Sequence, residues 1–161
     1  MKWYEIKRPL LLHQHMLIGE YRHVIDNKNR LSLPAKFRKE TGKKVVITSG
    51  LDSCLFVFPT KSWESITARL SSPDSSMLQA DSRSFNRYLL GGAVEVDVDA
   101  LGRMLIPEYL VDRAKLGRNV VIVGVRERAE IWDEARWDAY RAEIEKKADA
   151  LAEKLGESGM I

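Results

Sequence analysis

Asp26-Asn27-Lys28-Asn29-Arg30-Leu31-Ser32-Leu33-Pro34 is answered later in the chain by Asp99-Ala100-Leu101-Gly102-Arg103-Met104-Leu105-Ile106-Pro107. Asp, Arg and Pro recur at the same internal spacing, each 73 residues after its counterpart. A spaced repeat makes the half-chain unit the first thing to explain. Asn and Asp tolerate left-handed backbone and bond their own main chain, so Asp26–Asn29 predicts a turn. The period-two runs on either side predict strands, with Leu31 and Leu33 sharing one face. Pro34 cannot donate to a sheet ladder and suits the first turn of a helix.

Working outward, the first unit reads as a strand from near Gly19, the turn, a short strand, and a helix over 34–40 closed by Gly42. Strands over 45–48 and 55–58 follow, then a helix after Pro59 with Thr60 as a possible cap. The second unit repeats the order. It has strands over 93–98 and 104–106, a helix from Pro107 ended by Gly117, strands over 120–123 and 130–132 separated by a turn over 124–128, and a helix from Asp133. Trp63 and Trp137 fall at matching places. Residues 77–90 read as a connecting helix. The segment from Glu134 to Leu155 reads as a long amphipathic helix, with Glu143–Lys147 and Asp149–Glu153 at neighbour spacing and a frayed tail from Gly156. The expected division is an N-terminal extension over 1–15, a first unit over 19–66, a linker and connecting helix over 67–90, a second unit over 91–137, and a C-terminal helix and tail over 138–161.

The 161 residues can bury a core, or hold two small units that share one. Lys and Arg number 26 against 23 Asp and Glu. Their distribution is uneven: residues 26–44 carry seven cations and two anions, whereas 97–118 carry four of each. The first copy therefore reads as basic and the second as balanced. Cys54, the lone cysteine, sits in an apolar run and reads as a small buried hydrophobe in a protein of a reducing, cytoplasmic compartment. No apolar run approaches the length of a membrane helix.

Asp26 and Arg30, like Asp99 and Arg103, flank a tight turn. Such a pair either pins the hairpin or orients a guanidinium, whose planar fork suits phosphates and guanine edges. Spacing leaves both roles open. Lys36, Arg38 and the neighbouring lysines read as a solvated helix face or as part of a basic contact surface. Enzymatic readings fare poorly. The aspartates lack the small neighbours that would let two such loops approach as a carboxylate dyad. His13, His15 and His23 have no ligand-like partners, the serines lack a nucleophile elbow, and the glycines form no phosphate loop. No metal or cofactor is expected. Trp63, Trp132 and Trp137 read as core.

Gly19-Glu20-Tyr21-Arg22-His23, Asp26, Lys28, Arg30, Pro34-Ala35-Lys36-Phe37-Arg38 and Gly50-Leu51-Asp52 with Cys54-Leu55 resemble the first half of the MraZ family. Ser84-Phe85, Arg87, Gly91-Gly92-Ala93, Asp99, Gly102-Arg103, Ile106-Pro107 and Glu130-Ile131-Trp132 resemble its second half. The resemblance covers 16–140 and implies an α+β, mainly β fold. It consists of two tandem swapped-hairpin SpoVT/AbrB-like units forming a pseudo-twofold body, with a connecting helix and a C-terminal helix. It also implies a ring-forming, nucleoid-associated regulator that binds double-stranded DNA at repeated promoter boxes, its own promoter included, within the bacterial division and cell-wall gene cluster. The DNA-binding set it implies is Asp26, Lys28, Asn29, Arg30, Lys36, Arg38, Asp99 and Arg103. Asn29 departs from the family's usual Gly, and residues 1–15 precede its usual start. Because Arg30 has basic sequence neighbours and Arg103 acidic ones, the first copy is expected to dominate DNA contact. The alternative is a scaffold ring that binds an acidic protein partner.

Overall fold

Two halves of this chain each lack a neighbour for their own first strand, and each takes it from the other. The computed structural model describes residues 16–72 and 77–161. The N-terminal extension, with His13 and His15, and part of the Ser-rich linker lie outside the described residues. The first half contributes β1 (Leu17–Val24), β2 (Arg30–Ser32), α1 (Ala35–Thr41), β3 (Lys44–Ser49), β4 (Leu55–Pro59) and α2 (Thr60–Leu70). After α3 (Ala80–Leu89), the second half repeats the order with β5 (Val94–Asp97), β6 (Arg103–Leu105), α4 (Glu108–Arg113), β7 (Asn119–Arg126), β8 (Ala129–Asp133) and α5 (Glu134–Glu157).

The main sheet is antiparallel and ordered β1-β7-β8-β4-β3-β5. β1 pairs with β7 of the other half, and β5 with β3, while the fourth strands β4 and β8 meet in the middle. A separate ribbon joins the two second strands, β2 and β6. Backbone bonds follow the same exchange: the Ile25 N–H donates to Arg118 O at 2.9 Å and the Val98 N–H to Lys43 O at 2.8 Å. The result is an α+β, mainly β body with pseudo-twofold symmetry, its axis running between β4 and β8 and through the ribbon.

Alternation sorts the side chains. Leu31 and Met104 from the ribbon strands, Leu33 and Ile106 just after them, and Phe37 and Leu110 from the short helices are essentially inaccessible. They pack on the inner face of the sheet, formed by Val45, Ile47, Leu55, Val57, Val120, Ile122 and Ile131. A smaller cluster on the outer face holds Cys54, Val121, Trp132 and Trp137. Tyr140 of α5 stacks on Trp132 with centroids 4.8 Å apart. Trp63 is half-buried against Phe58 at 5.3 Å, so Trp63, Trp132 and Trp137 all pack as apolar residues. Cys54 is buried, and burial pushes its thiol pKa up, with Glu130 adding to the effect.

Several boundaries differ from the sequence expectation. β1 starts at Leu17, before Gly19. Thr60 is the first residue of α2 and makes no side-chain cap, because Pro59 holds the cap position. α3 begins at Ala80, not Met77. The residue that leaves α4 in left-handed backbone is Lys115, with φ 51°. Gly117 instead donates its N–H to the Asp133 carboxylate at 3.0 Å. β7 runs through Gly124 to Arg126 rather than turning at 124. Gly124 lies opposite Gly19, and a Cβ there would come within 2.6 Å of the Ile18 nitrogen, so the glycine serves close strand approach. α5 continues through Gly156, and its buried residue is Trp137. Within α5 the ion pairs are Glu143–Lys146 and Arg141–Glu145, not Glu143–Lys147, and the helix also meets β1 through Arg22 with Glu134 and Asp138 and Arg141 with Glu20.

Leu31 is fully buried beneath the ribbon. Leu31→Ala should lower unfolding free energy by about 2–5 kcal/mol, measured as a shift of the urea midpoint with unchanged slope.

Candidate nucleic-acid interface

Asp26 Oδ1 accepts the N–H groups of Lys28 and Arg30, both at 2.9 Å, and its Oδ2 accepts Arg30 Nε at 2.7 Å. Asp99 repeats the arrangement with Leu101 at 2.9 Å, the Arg103 N–H at 2.8 Å and Arg103 Nε at 2.9 Å. Each aspartate therefore closes its turn and clamps one edge of a guanidinium. The Nε edge of each arginine is held, and the terminal nitrogens form no hydrogen bond with the described residues. The Asp26 pKa is held down at about 2, chiefly by the Arg30 N–H, against a smaller opposing effect of burial and with help from the Arg30 guanidinium and the Lys28 N–H. Asp99 is lowered in the same way, first by the Arg103 N–H.

The turns brace each other across the pseudo-axis. The Leu33 N–H donates to Gly102 O and the Ile106 N–H to Asn29 O, both at 2.8 Å. In the ribbon, Arg30 lies opposite Leu105, Leu31 opposite Met104, and Ser32 opposite Arg103. Leu31 and Met104 point into the core, so alternation turns Arg30, Ser32, Arg103 and Leu105 outward. Two residue steps at ~3.4 Å place the two arginines about 7 Å apart along the ribbon.

The strand exchange redistributes the basic residues. Arg38, on α1 of the first half, reaches the second turn: its Nε donates to Leu33 O at 3.0 Å, and its guanidinium covers Gly102. Arg38 and Lys43 line a cleft of about 480 Å³ with Asp99, Ala100 and Gly102. The equivalent cleft at the first turn, about 310 Å³, is lined by Asp26, Asn27, Asn29, Val111 and Arg118. The first turn thus has Lys28, Arg30 and Arg118 about it, and the second has Arg103, Arg38 and Lys43. The basic segment over 26–44 is thus divided between the two turns, because Arg38 and Lys43 follow the exchanged backbone to the other turn. Asp97, counted against Arg103, stands within 3.8 Å of Lys44. Lys36 is exposed on α1, and Lys28 is exposed at the tip of the first turn.

Asn29 and Gly102 both adopt left-handed backbone, with φ 58° and 79°. Their difference has a steric cause. A Cβ on Gly102 would lie 2.0 Å from Arg38 Nε. At the first turn Val111 replaces Arg38, leaving room for the Asn29 side chain. His23 is half-buried, and its pKa is lowered by burial first and the Arg38 charge second. Among the described residues, no group of three or more His, Cys, Asp or Glu side chains could hold a metal ion. No helix of the described residues is long and apolar enough to cross a membrane.

Comparison with known sequences decides the family. The family profile described as "MraZ protein, putative antitoxin-like" matches twice, over residues 16–87 and 89–156. The chain belongs to the MraZ family. It is 46% identical over 140 residues to the transcriptional regulator MraZ of Moorella thermoacetica, covering 87% of this chain and 96% of that protein. It is 43% identical over 145 residues to the transcriptional regulator MraZ of Caldicellulosiruptor saccharolyticus, covering 90% of this chain and 100% of that one. The MraZ relative from Caldanaerobacter subterraneus is 43% identical over 140 residues, covering 87% of this chain and 96% of that protein. Sequence reasoning missed Leu101, Leu105, Lys43 and Arg118 at this face. The 73-residue offset carries the signal for the first two, mapping Lys28 onto Leu101 and Ser32 onto Leu105.

Two outcomes follow from this geometry. Gly102→Asn should destabilise the fold by about 1 kcal/mol, the worth of the Arg38–Leu33 hydrogen bond that the new side chain displaces. Adding Arg38→Val, which copies the Asn29–Val111 arrangement, should recover part of that loss in a double-mutant cycle of urea midpoints. The second outcome concerns acid. A carboxylate whose pKa falls from 3.8 to about 2 on folding stabilises the protein fully above the unfolded value. That contribution disappears as pH falls through the folded value. Asp26→Asn, which mimics the protonated form, should therefore be less stable than the parent at about pH 5, with the gap closing toward about pH 2.

Proposed function

We propose that this MraZ-family chain is a transcriptional regulator that binds double-stranded DNA through the β2–β6 ribbon and its two flanking turns. The observation that carries the reading is the outward pair Arg30 and Arg103, each clamped through Nε by its own aspartate and half-exposed on the ribbon. A two-stranded ribbon fits the major groove, and a guanidinium fork matches guanine O6 and N7. Lys28, Lys36, Arg38, Lys43 and Arg118 surround the pair with charge suited to phosphates. The names of the relatives support the transcriptional reading.

The target is repeated promoter boxes upstream of the chain's own gene and of the bacterial division and cell-wall cluster, reached in the cytoplasm on the nucleoid. One chain's ribbon spans only a short stretch of duplex. A ring of several chains multiplies weak contacts by raising effective concentration at neighbouring boxes.

Fluorescence anisotropy with a duplex from the chain's own upstream region, against a scrambled duplex, tests the proposal. Arg30→Ala and Arg103→Ala should each cost about 1–3 kcal/mol of specific binding. The expected losses are comparable, because both turns carry basic neighbours. Lys28→Ala should weaken both duplexes alike and reduce the salt slope by about 1. Removing boxes one at a time should lower affinity stepwise. Equal affinity for both duplexes would favour a scaffold that binds acidic protein, and would overturn the proposal.

A further inference from the structure

The two ends of the ribbon are chemically different although the backbone makes them equivalent. Lys28 tips the first turn and Leu101 the second, and both are exposed; Leu101 retains 65% of its accessible surface. The backbone around them is matched, since both residues donate an N–H to the preceding aspartate at 2.9 Å. Asn27 is likewise matched by Ala100, and Ser32 by Leu105. Leu101 borders the arginine-bearing strand two residues before Arg103 and contributes nothing to the buried core. An ammonium tip pairs with a phosphate oxygen but not with an apolar group. A leucine tip has no attraction for phosphate, whereas the 5-methyl of thymine in the major groove is an apolar partner.

We propose that Leu101 is a specificity-determining residue that reads a thymine methyl group, while Lys28 at the equivalent position takes a phosphate. The ribbon then sits on its site in one orientation, and each site is non-palindromic in spite of the pseudo-twofold fold. The assignment rests on the DNA-binding reading above. The remaining differences between the ends point the same way. The first turn presents amide and ammonium groups, whereas the second presents the side chains of Ala100 and Leu101.

The test begins with selection of tightly bound duplexes from a pool with a randomised centre, using the full chain. A non-palindromic enriched sequence is expected. Each thymine in that duplex is then replaced singly by deoxyuridine, which lacks only the methyl group. One replacement should weaken binding by roughly fourfold, the value of one methyl-sized apolar contact. Leu101→Ala should abolish that difference while leaving the melting temperature unchanged, because the side chain is exposed. Leu101→Lys, which makes the two tips alike, should select a more palindromic sequence. If no sequence is enriched over the random pool, DNA reading itself fails, and this inference with it. If a sequence is enriched but no deoxyuridine replacement matters, or its effect survives Leu101→Ala, the role of Leu101 is overturned while the DNA-binding reading stands.

Discussion

Everything in this fold depends on the reciprocal exchange of first strands between the two halves. β1 completes the second half's edge and β5 completes the first half's. Neither unit can satisfy its backbone donors and acceptors alone, and unpaired buried groups are costly. The exchange also forces β2 and β6 together, because each follows its first strand across the body. The ribbon is therefore a product of both halves, and the turns that flank it are held by hydrogen bonds from the opposite unit. Units of this size bury too little surface to stand by themselves, so mutual completion is also the source of the core.

The same constraint organises the candidate interface. Each Asp–Arg clamp is local, formed within five consecutive residues. Yet the environment of each clamp is supplied from the other half: α1 delivers Arg38 over Gly102, and α4 delivers Val111 beside Asn29. One pair of positions thus decides how bulky the left-handed turn residue can be. The repeat has diverged at the turn tips and kept its aspartates and arginines.

Much of the architecture was legible in sequence because it rests on local physics. Turn chemistry at Asp26–Asn29, alternation around Leu31 and Leu33, and prolines at 34 and 107 dictate strand, turn, strand and helix in that order. Boundaries failed where a neighbouring chain segment overrode local preference. Gly124 and Gly117 read as breakers, but the first is a glycine because β1 runs against it. The second meets Asp133 across the fold. The C-terminal helix was visible from its composition, although its sparse burial was not, since periodicity does not tell which turns meet a partner.

By itself the sequence determined that two like units exist, that each carries an aspartate four residues before an arginine, and that Lys28 and Leu101 stand in equivalent places. These follow from spacing, which is a one-dimensional property. Only the tertiary structure decided which basic residues surround which arginine. Arg38 is close to Arg30 in the chain and yet lies on the Gly102 turn, beside the other arginine's hairpin. The reason is that strand exchange carries each helix across the pseudo-axis, and charge acts through space rather than along the chain.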